Sequence, residues 1–261
     1  MPPAFYLCVT IFLGLCLGSF ATALSWRLPR GISVSFERSK CPKCGRTLGI
    51  ADLVPVFSWL FMRGRCRSCK APIGWRYPVI EIATLILCVA FYERFGFSVS
   101  TLLLFCLAPV VVAATDIDFE HMILPDGLNL AILLLGMAVL AANAFSASDS
   151  PEFILSHGET ALGGAALYGI GSLILRQGGM AILKREPLGW GDVKFFAACG
   201  FWLGLDPEVL AHFMTLSGTA GVIIALLWKK IQKGAAFPFG PALLLAFIIM
   251  LLAEPPEFIF R

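Results

Sequence analysis

Eight apolar runs, separated by short polar segments, take up most of this chain and limit the folds it can adopt. Hydrophobic residues make up 58% of its 261 residues and charged residues only 14%, a balance too apolar for a soluble domain of this length. The runs cover 4–24, 79–97, 99–115, 127–146, 160–176, 193–206, 209–228 and 237–253. Because about 20 apolar residues cross a bilayer as a helix, the sequence predicts an all-α polytopic membrane protein with about eight transmembrane helices.

The sixth of these runs is the weakest candidate for a membrane span. As a helix, Val193 to Leu205 would rise only roughly 20 Å, whereas the hydrocarbon core of a bilayer is roughly 30 Å thick. This span is therefore expected to use flanking residues or to lie where the protein is thinned.

The basic residues predict the orientation of the chain in the membrane. Between Ser25 and Tyr77 there are eleven Lys or Arg and only two acids, Glu37 and Asp52. Cytoplasmic loops carry an excess of Lys and Arg, so this segment is expected to be cytoplasmic. Counting spans forward from it places eighteen of the twenty basic residues on that side and the N-terminus outside. Because the positive charges follow the first run, we interpret this run as a retained anchor and not as a cleaved signal peptide.

Four cysteines in the segment after the first run form two Cys-x-x-Cys pairs. Cys41 and Cys44 are followed, after 21 intervening residues, by Cys66 and Cys69. Two such turns can aim four thiolates at one ion, which is typical of a tetrahedral zinc site. Redox-active or disulfide-bonded cysteines are the alternative, and a cytoplasmic location disfavours them because thiols stay reduced there. Since the protein would fill all four positions, the zinc is expected to be structural.

Acidic residues cluster where the third run ends and the fourth begins. They are Asp116, Asp118, Glu120 and Asp126. For Asp116 and Glu120 the pattern favours a solvated helix end, and for Asp126 a position near the N-cap of the fourth span. For Asp118 the residues alone leave a structural and a catalytic role equally open. An ionisable group at the edge of a membrane span is nevertheless a functional candidate, because placing it there is costly.

A second acid, Asp192, ends the motif Gly189-Trp190-Gly191-Asp192 at the start of the sixth run. Glycines there allow a close backbone approach, and the helix N-terminus favours an ionised acid. A lone Gly-x-Gly-Asp is a weak signal. Together with an acid-rich helix end on the same predicted membrane face, it indicates an intramembrane aspartyl protease.

Such a pair would work by sharing a proton. Two carboxyls a few ångströms apart cannot both ionise cheaply, so one stays protonated. The ionised carboxylate would activate water, and the neutral one would hydrogen-bond the scissile carbonyl and protonate the leaving amine. Two other functions remain open at this point. One is a transporter or channel whose acids carry protons, although these acids lie at span ends, and the other is a zinc-stabilised scaffold without catalysis.

Several motifs, in a characteristic order and spacing, run through nearly the whole chain. Besides the double Cys-x-x-Cys segment they are Gly18-Ser19-Phe20, Arg27-Leu28-Pro29, Arg76-Tyr77-Pro78-Val79-Ile80-Glu81, Leu124-Pro125-Asp126, Gly189-Trp190-Gly191-Asp192-Val193-Lys194 and Pro238-Phe239-Gly240-Pro241. In this pattern the chain resembles the bacterial type IV prepilin peptidases, which act as leader peptidase and N-methyltransferase.

The resemblance implies a specific activity and specific catalytic residues. In that family the first catalytic Asp lies eight residues before the Asp of Leu-Pro-Asp, which selects Asp118 over Asp116, and the second corresponds to Asp192. The implied substrates are prepilins or pseudopilins, cut after a Gly at the cytoplasmic border of the bacterial inner membrane. The new N-terminal residue would then be methylated with S-adenosylmethionine as the methyl donor.

Other motif residues are expected to support the aspartate pair. They are Gly189, Gly191, Lys194 and Asp126. For Glu81 two roles remain equally open, a contact with substrate or cofactor and a salt bridge with Arg76.

The sequence also predicts the division of the chain into domains. We expect a first transmembrane helix over 1–24, a cytoplasmic four-cysteine zinc-binding domain over 25–77, and a membrane bundle over 78–261 that carries the protease site. The expected partners are the lipid bilayer and the pilin-type substrates, and no nucleic acid. Neither the methyltransferase residues nor the oligomeric state can be predicted from these patterns.

Overall fold

The computed structural model describes residues 3–34, 37–146, 150–184, 186–231 and 236–259, and within these ranges it contains helices and turns but no β-strand. The α-helices are α1 Pro3–Arg27, α2 Phe57–Phe61, α3 Arg76–Phe95, α4 Val99–His121, α5 Asp126–Ser146, α6 Ser150–Leu183, α7 Trp190–Leu203, α8 Pro207–Ile231 and α9 Gly240–Ala253. Each of the eight predicted spans corresponds to one of these helices, and the short α2 is additional. The all-helical fold with a four-cysteine segment between the first two long helices is confirmed.

Four of these helices are long and apolar enough to cross a bilayer by length and composition alone. They correspond to Ala4–Arg30, Val99–His121, Asp126–Phe145 and Pro207–Lys230. Helix α9 is apolar but shorter, with 14 residues. Helix α7 also has 14 residues and rises only about 21 Å, which is as short as the sequence predicts.

Helix α6 is much longer than the predicted fifth span. The segment 147–158 is expected to be an outer loop, but residues from Ser150 onwards are helical, and 147–149 lie outside the described residues. Pro151 and Glu152 occupy the first turn of this helix, where a proline and an acid are both favourable. Three basic residues of the charge count, Arg185, Lys233 and Arg261, likewise lie outside the described residues.

The sequence predicts a second loop over 177–191, with flexibility or a turn at the Gly178-Gly179 pair and Pro187, but the loop in the structure is shorter. Helix α6 continues through the Gly178-Gly179 pair to Leu183, and α7 begins at Trp190. The pair does not end the helix, because the following loop packs against it. A Cβ atom on Gly179 would lie only 2.4 Å from a ring carbon of Pro187.

The chain divides into two compact units, Met1–Asp116 and Ile117–Arg261, with the boundary inside α4. In the first unit α1 packs along α3, and the segment between them carries the four cysteines. In the second unit α7 packs against α5, α6 and α9. Its Trp202 side chain is fully buried and donates a 2.9 Å hydrogen bond to the carbonyl of Ile132 in α5.

Helices α6 and α7 approach closely through glycine. A Cβ on Gly164 would lie 2.2 Å from the carbonyl oxygen of Gly200, and a Cβ on Gly200 would lie 2.4 Å from the carbonyl oxygen of Gly164. Small residues permit such contacts between membrane helices. Gly164 and Gly200 therefore serve the packing of these two helices.

Candidate active site and metal centre

The four cysteines of the first unit converge on one point. Their four Sγ atoms all lie within 4.8 Å of one another, and the Sγ atoms of Cys41 and Cys69 are 3.9 Å apart. Zn–S bonds of about 2.3 Å in a tetrahedron hold sulfurs about 3.8 Å apart, so the cluster fits one zinc ion. With Cys44 and Cys66 the protein supplies all four ligands, which is the composition of a structural site.

In each cysteine turn, backbone N–H groups favour the thiolate form of the first cysteine, which is the form that binds metal. The backbone N–H of Cys44 has the largest effect on Cys41 and lowers the pKa of its thiol. The backbone N–H of Cys69 acts in the same way on Cys66 and lowers its pKa to about 6. Because metal ligation requires deprotonated cysteine, these hydrogen bonds prepare the site for a cation.

An acid that sequence reasoning used only in the charge count joins the two cysteine turns. Asp52 pairs with Arg46, which follows the first turn, at 2.9 Å and with Arg67, inside the second turn, also at 2.9 Å. It also accepts the backbone N–H of Gly49 at 3.1 Å. These donors lower the pKa of the Asp52 carboxyl, so it is ionised at neutral pH and cross-links the domain.

In the second unit, Asp118 lies near the end of α4 and is only 4% exposed. Its Oδ2 accepts a 2.8 Å hydrogen bond from the backbone N–H of Gly240, the first residue of α9. The first N–H groups of a helix have no partner within the helix and favour a negative charge. Helix α9 therefore holds the Asp118 carboxylate in place.

Asp192 is held by a helix N-terminus in the same way. It is the third residue of α7, and its Oδ2 accepts the N–H of Gly189, the N-cap residue, at 3.0 Å. The motif Gly-x-Gly-Asp thus folds into one helix start, in which the acid satisfies a backbone donor of its own motif.

The structure brings the two acids together. The charge of Asp192 acts on the carboxyl of Asp118. Leu124 packs against both helix starts that hold the acids. A Cβ on Gly191 in α7 would lie 2.7 Å from the Leu124 carbonyl oxygen, and a Cβ on Gly240 in α9 would lie 3.0 Å from a Leu124 methyl carbon. Gly191 and Gly240 therefore both pack against Leu124.

The start of α5 is fixed to the start of α7 by polar contacts. Asp126, in the first turn of α5 as predicted, pairs with Lys194 of α7 at 2.6 Å. Asn129 donates a 2.9 Å hydrogen bond to the carbonyl of Gly191. The ion pair is largely exposed, so its contribution to stability is small, on the order of 1 kcal/mol or less. Asn129 is buried, and sequence reasoning missed it because a single Asn in an apolar run carries no motif.

An apolar cavity of about 290 Å³ includes the residues directly before Gly189 and Gly240 in its lining. It is lined by Leu175, Pro187, Leu188, Phe196, Met214, Ser217, Gly218 and Phe239. Leu188 directly precedes Gly189, and Phe239 directly precedes Gly240. Two lining residues are therefore one position away from the glycines whose N–H groups bind Asp192 and Asp118.

Two family models match the chain over most of its length. The model of the bacterial peptidase A24 N-terminal domain matches residues 12–95, and that of the type IV leader peptidase family matches residues 102–254. The chain belongs to the type IV leader peptidase family. The family and the enzyme class predicted from the motifs, a leader peptidase, are confirmed.

Curated relatives of the family match over nearly their full length. The prepilin leader peptidase/N-methyltransferase of Pseudomonas aeruginosa is 31% identical over 277 residues, which cover 96% of this chain and 91% of the relative. The enzyme of the same name from Bacillus subtilis is 34% identical, covering 91% and 90%. A type 4 prepilin-like proteins leader peptide-processing enzyme of Escherichia coli is 32% identical, covering 88% and 87%. No solved structure matches the chain.

Asp116 and Glu81 each have a partner within the first unit. Asp116 is not a solvated helix end, because it forms a bidentate ion pair with Arg76, whose Nε lies 2.8 and 2.9 Å from the two carboxylate oxygens. The contact seen for Glu81 differs from the suggested salt bridge with Arg76. Glu81 instead accepts the backbone N–H of Val56 at 2.6 Å. Glu120 lies at the exposed end of α4, as predicted.

A buried arginine beside the Gly-x-Gly-Asp motif is the main residue that sequence reasoning missed. Arg176, near the end of α6, is only 3% exposed, and its guanidinium carbon lies 4.4 Å from the ring centre of Trp190. It also donates to Glu186 at 2.8 Å. These contacts fix the loop that leads to Asp192. The signal in the sequence was an arginine ending an apolar run, which was used only in the charge count.

Proposed function

We propose that this protein is a membrane-embedded aspartyl peptidase that removes the leader peptides of type IV prepilins or pseudopilins, with Asp118 and Asp192 as its catalytic residues. The observation that carries the proposal is the convergence of these two acids from α4 and α7, each with one oxygen held by a backbone N–H. Placing two acids of like charge near a membrane costs free energy, so their presence indicates a function.

The arrangement suits a pair that shares one proton. Each carboxylate uses Oδ2 for its backbone hydrogen bond, which leaves Oδ1 for the shared proton and the attacking water. Two carboxyls that lie close together cannot both ionise cheaply, so one of them keeps a proton. The ionised acid takes a proton from water as the hydroxyl adds to the scissile carbonyl. The protonated acid hydrogen-bonds that carbonyl and then supplies the proton with which the amine leaves.

The apolar cavity supports a substrate with a large apolar side chain next to the cut. Its lining comes from α6, the loop before α7, α7, α8 and the segment before α9, and Ser217 contributes the hydroxyl group among mostly apolar side chains. A pocket of this kind binds through burial of apolar surface. A hydrophobic pilin segment that lies in the bilayer could then present its first mature residue beside the acids.

The second proposed activity is methylation of the amine that cleavage releases. The relatives whose names include N-methyltransferase support it, and S-adenosylmethionine would supply the electrophilic methyl group. We assign no residue of this chain to that step. We further propose that the span 1–24 and the bundle 78–261 lie in the bacterial inner membrane. The four-cysteine domain 25–77 and the acid pair would then face the cytoplasm.

The proposal is tested by incubating the purified protein in proteoliposomes with a prepilin and S-adenosylmethionine labelled in its methyl group. Mass spectrometry of the product should show a cut directly after the leader Gly and one labelled methyl group on the new N-terminus. A product with neither change would support the scaffold or the transporter. A cut without a label would keep the peptidase and remove the methyltransferase.

A further inference from the structure

The short helix α2 in the four-cysteine segment presents an exposed apolar face. Phe57, Leu60 and Phe61 are 48%, 55% and 84% exposed, and their spacing of i, i+3 and i+4 places them on one side of the helix. Trp59 lies on the opposite side and donates from Nε1 to the carbonyl of Ile73 at 3.0 Å. The helix therefore packs into its domain through Trp59 and turns three large apolar residues away from it.

The residues just before α2 extend this apolar surface. Ile50, Leu53 and Val54 are 89%, 39% and 41% exposed. The turn that contains Ile50 contacts α2. Six large exposed apolar side chains within the twelve residues 50–61 are unusual on a polar domain and indicate an interaction site.

A hydrogen bond fixes the level of α2 relative to the long helices. The N–H of Val56, directly before α2, is bound by the carboxylate of Glu81, the sixth residue of α3. The apolar run 79–97 predicts that α3 crosses the bilayer from its N-terminal end, in which case Glu81 lies close to the point of entry. The start of α2 consequently lies at the level of the lipid headgroups.

The charge around this surface suits anionic lipids. The segment between Ser25 and Tyr77 carries eleven basic residues and two acids. Arg63, which is exposed, lies two residues after Phe61, the last residue of α2. Trp75, 72% exposed, directly precedes α3 and is a residue type enriched at membrane–water interfaces. Apolar side chains flanked by basic ones are the pattern of a helix that lies in the interface.

We propose that α2 is an interfacial helix and that Phe57, Leu60 and Phe61 insert among the lipids of the leaflet facing the four-cysteine domain. The zinc-binding segment is then held against the membrane at α2 as well as at its two ends. The inference rests on α1 and α3 crossing the bilayer, and it does not depend on the catalytic pair. A failure of cleavage leaves it standing, and its own failure leaves the peptidase standing.

The test uses the full chain in nanodiscs of phosphatidylethanolamine and phosphatidylglycerol. The photoreactive residue p-benzoylphenylalanine replaces Phe61 in one variant and Leu60 in a second. The matched control carries it in place of Lys43, which is exposed in the same domain but lies on a cysteine turn. Zinc content is measured in every variant to establish that the domain is folded. After irradiation, mass spectrometry identifies what each residue has bonded to.

We expect lipid adducts at Phe61 and Leu60 to exceed those at Lys43 several-fold. Three results would overturn the proposal. They are an absence of lipid adducts at both α2 positions in zinc-loaded protein, equal adducts at Lys43, and cross-links from α2 to protein in place of lipid. The last of these would assign the face to a protein contact.

Discussion

The carboxylate of Asp118 accepts a 2.8 Å hydrogen bond from the backbone N–H of Gly240, a residue 122 positions later in the chain. The acid belongs to α4 and the donor to the first turn of α9, so the N-terminus of α9 orients an acid of α4. The contact leaves no room for a side chain. A Cβ on Gly240 would lie 2.8 Å from Asp118 Oδ2.

Gly240→Ala should therefore impair cleavage without unfolding the protein. The added methyl group would displace the Asp118 carboxylate, and we expect kcat to fall roughly 10- to 100-fold because reacting groups lose their alignment. The measurement is kcat and KM for prepilin cleavage. Gly171→Ala is the control, since a Cβ at Gly171 in α6 meets nothing within 4 Å. Equal activity of the two variants would show that the Gly240 contact does not position the acid.

Filling the apolar cavity should weaken substrate use while sparing the acids. Gly218→Leu adds a side chain that lines the cavity, at a position where a Cβ meets nothing within 4 Å. The fit of a single methylene group in an apolar pocket is worth roughly 10- to 200-fold in kcat/KM, so we expect kcat/KM to fall by at least this factor. Gly171→Leu on α6 is the matched control. If Gly218→Leu cleaves prepilin as the control does, the cavity is not the substrate pocket.

We expect substitutions in the cluster of Arg176, Glu186 and Trp190 to have non-additive effects on kcat/KM. A cation–π contact is worth about 0.5–2 kcal/mol, so Arg176→Ala and Trp190→Ala should each lower kcat/KM by about 2- to 30-fold. The double variant should be no worse than either single one, because the same contact is lost. Arg176→Lys keeps the charge but not the planar stack, and should recover only part of the activity. Additive losses in the double variant would contradict a shared role.

The purified protein should contain about one zinc ion per chain, measured by elemental mass spectrometry. Cys66→Ser should reduce this content strongly, because the site loses one of its four ligands. Cys16→Ser, a lone exposed cysteine in α1, should leave it unchanged. Wild-type protein without zinc, or equal loss in both variants, would remove the metal centre from the account.

Asp52→Asn should accelerate zinc release to a chelator, because both arginine pairs lose their partner. The pKa of Asp52 is lowered by the Gly49 N–H and by Arg46 and Arg67, so the ionised carboxyl stabilises the fold. This stabilisation is complete above the ordinary pKa of 3.8 and is lost as the pH falls through the lower folded-state value. The ratio of wild-type to variant release rates should thus be equal at about pH 7 and about pH 5.5.

Glu37→Gln is the control for this prediction, since Glu37 is an exposed acid in the same segment. It should release zinc at the wild-type rate at both pH values. A ratio for Asp52→Asn that changes between the two pH values would mean that another group controls release.

The features that the sequence predicts best are those with a local physical cause. Apolar runs predict the long helices because every backbone group in a bilayer must be satisfied within its own segment. The cysteine spacing predicts the metal cluster because each turn is local, and Gly189 to Asp192 form one helix start. The predicted ends of α6 were wrong. Its polar first turns and its Gly178-Gly179 pair are helical because of capping and packing, which composition does not reveal.

Contacts between residues distant in the chain could not be predicted in this way. The ion pair of Arg76 with Asp116 joins residues 40 positions apart, and a charge pattern alone offers each of them several partners. The same holds for the stacking of Arg176 on Trp190 and for the N–H of Gly240 on Asp118. Such pairs follow from how the helices pack, so they become visible only when the helices are assembled.

The most direct test of the account is cleavage of a prepilin in native membranes by Asp118→Asn and by Asp192→Asn. The control is Glu120→Gln, which removes an exposed acid only two residues from Asp118. Each Asn variant should insert normally and lose at least about 10²- to 10⁴-fold in cleavage rate, the range that general acid–base groups contribute, while Glu120→Gln retains its activity. Wild-type cleavage by either Asn variant would contradict the assignment of Asp118 and Asp192 as the catalytic pair.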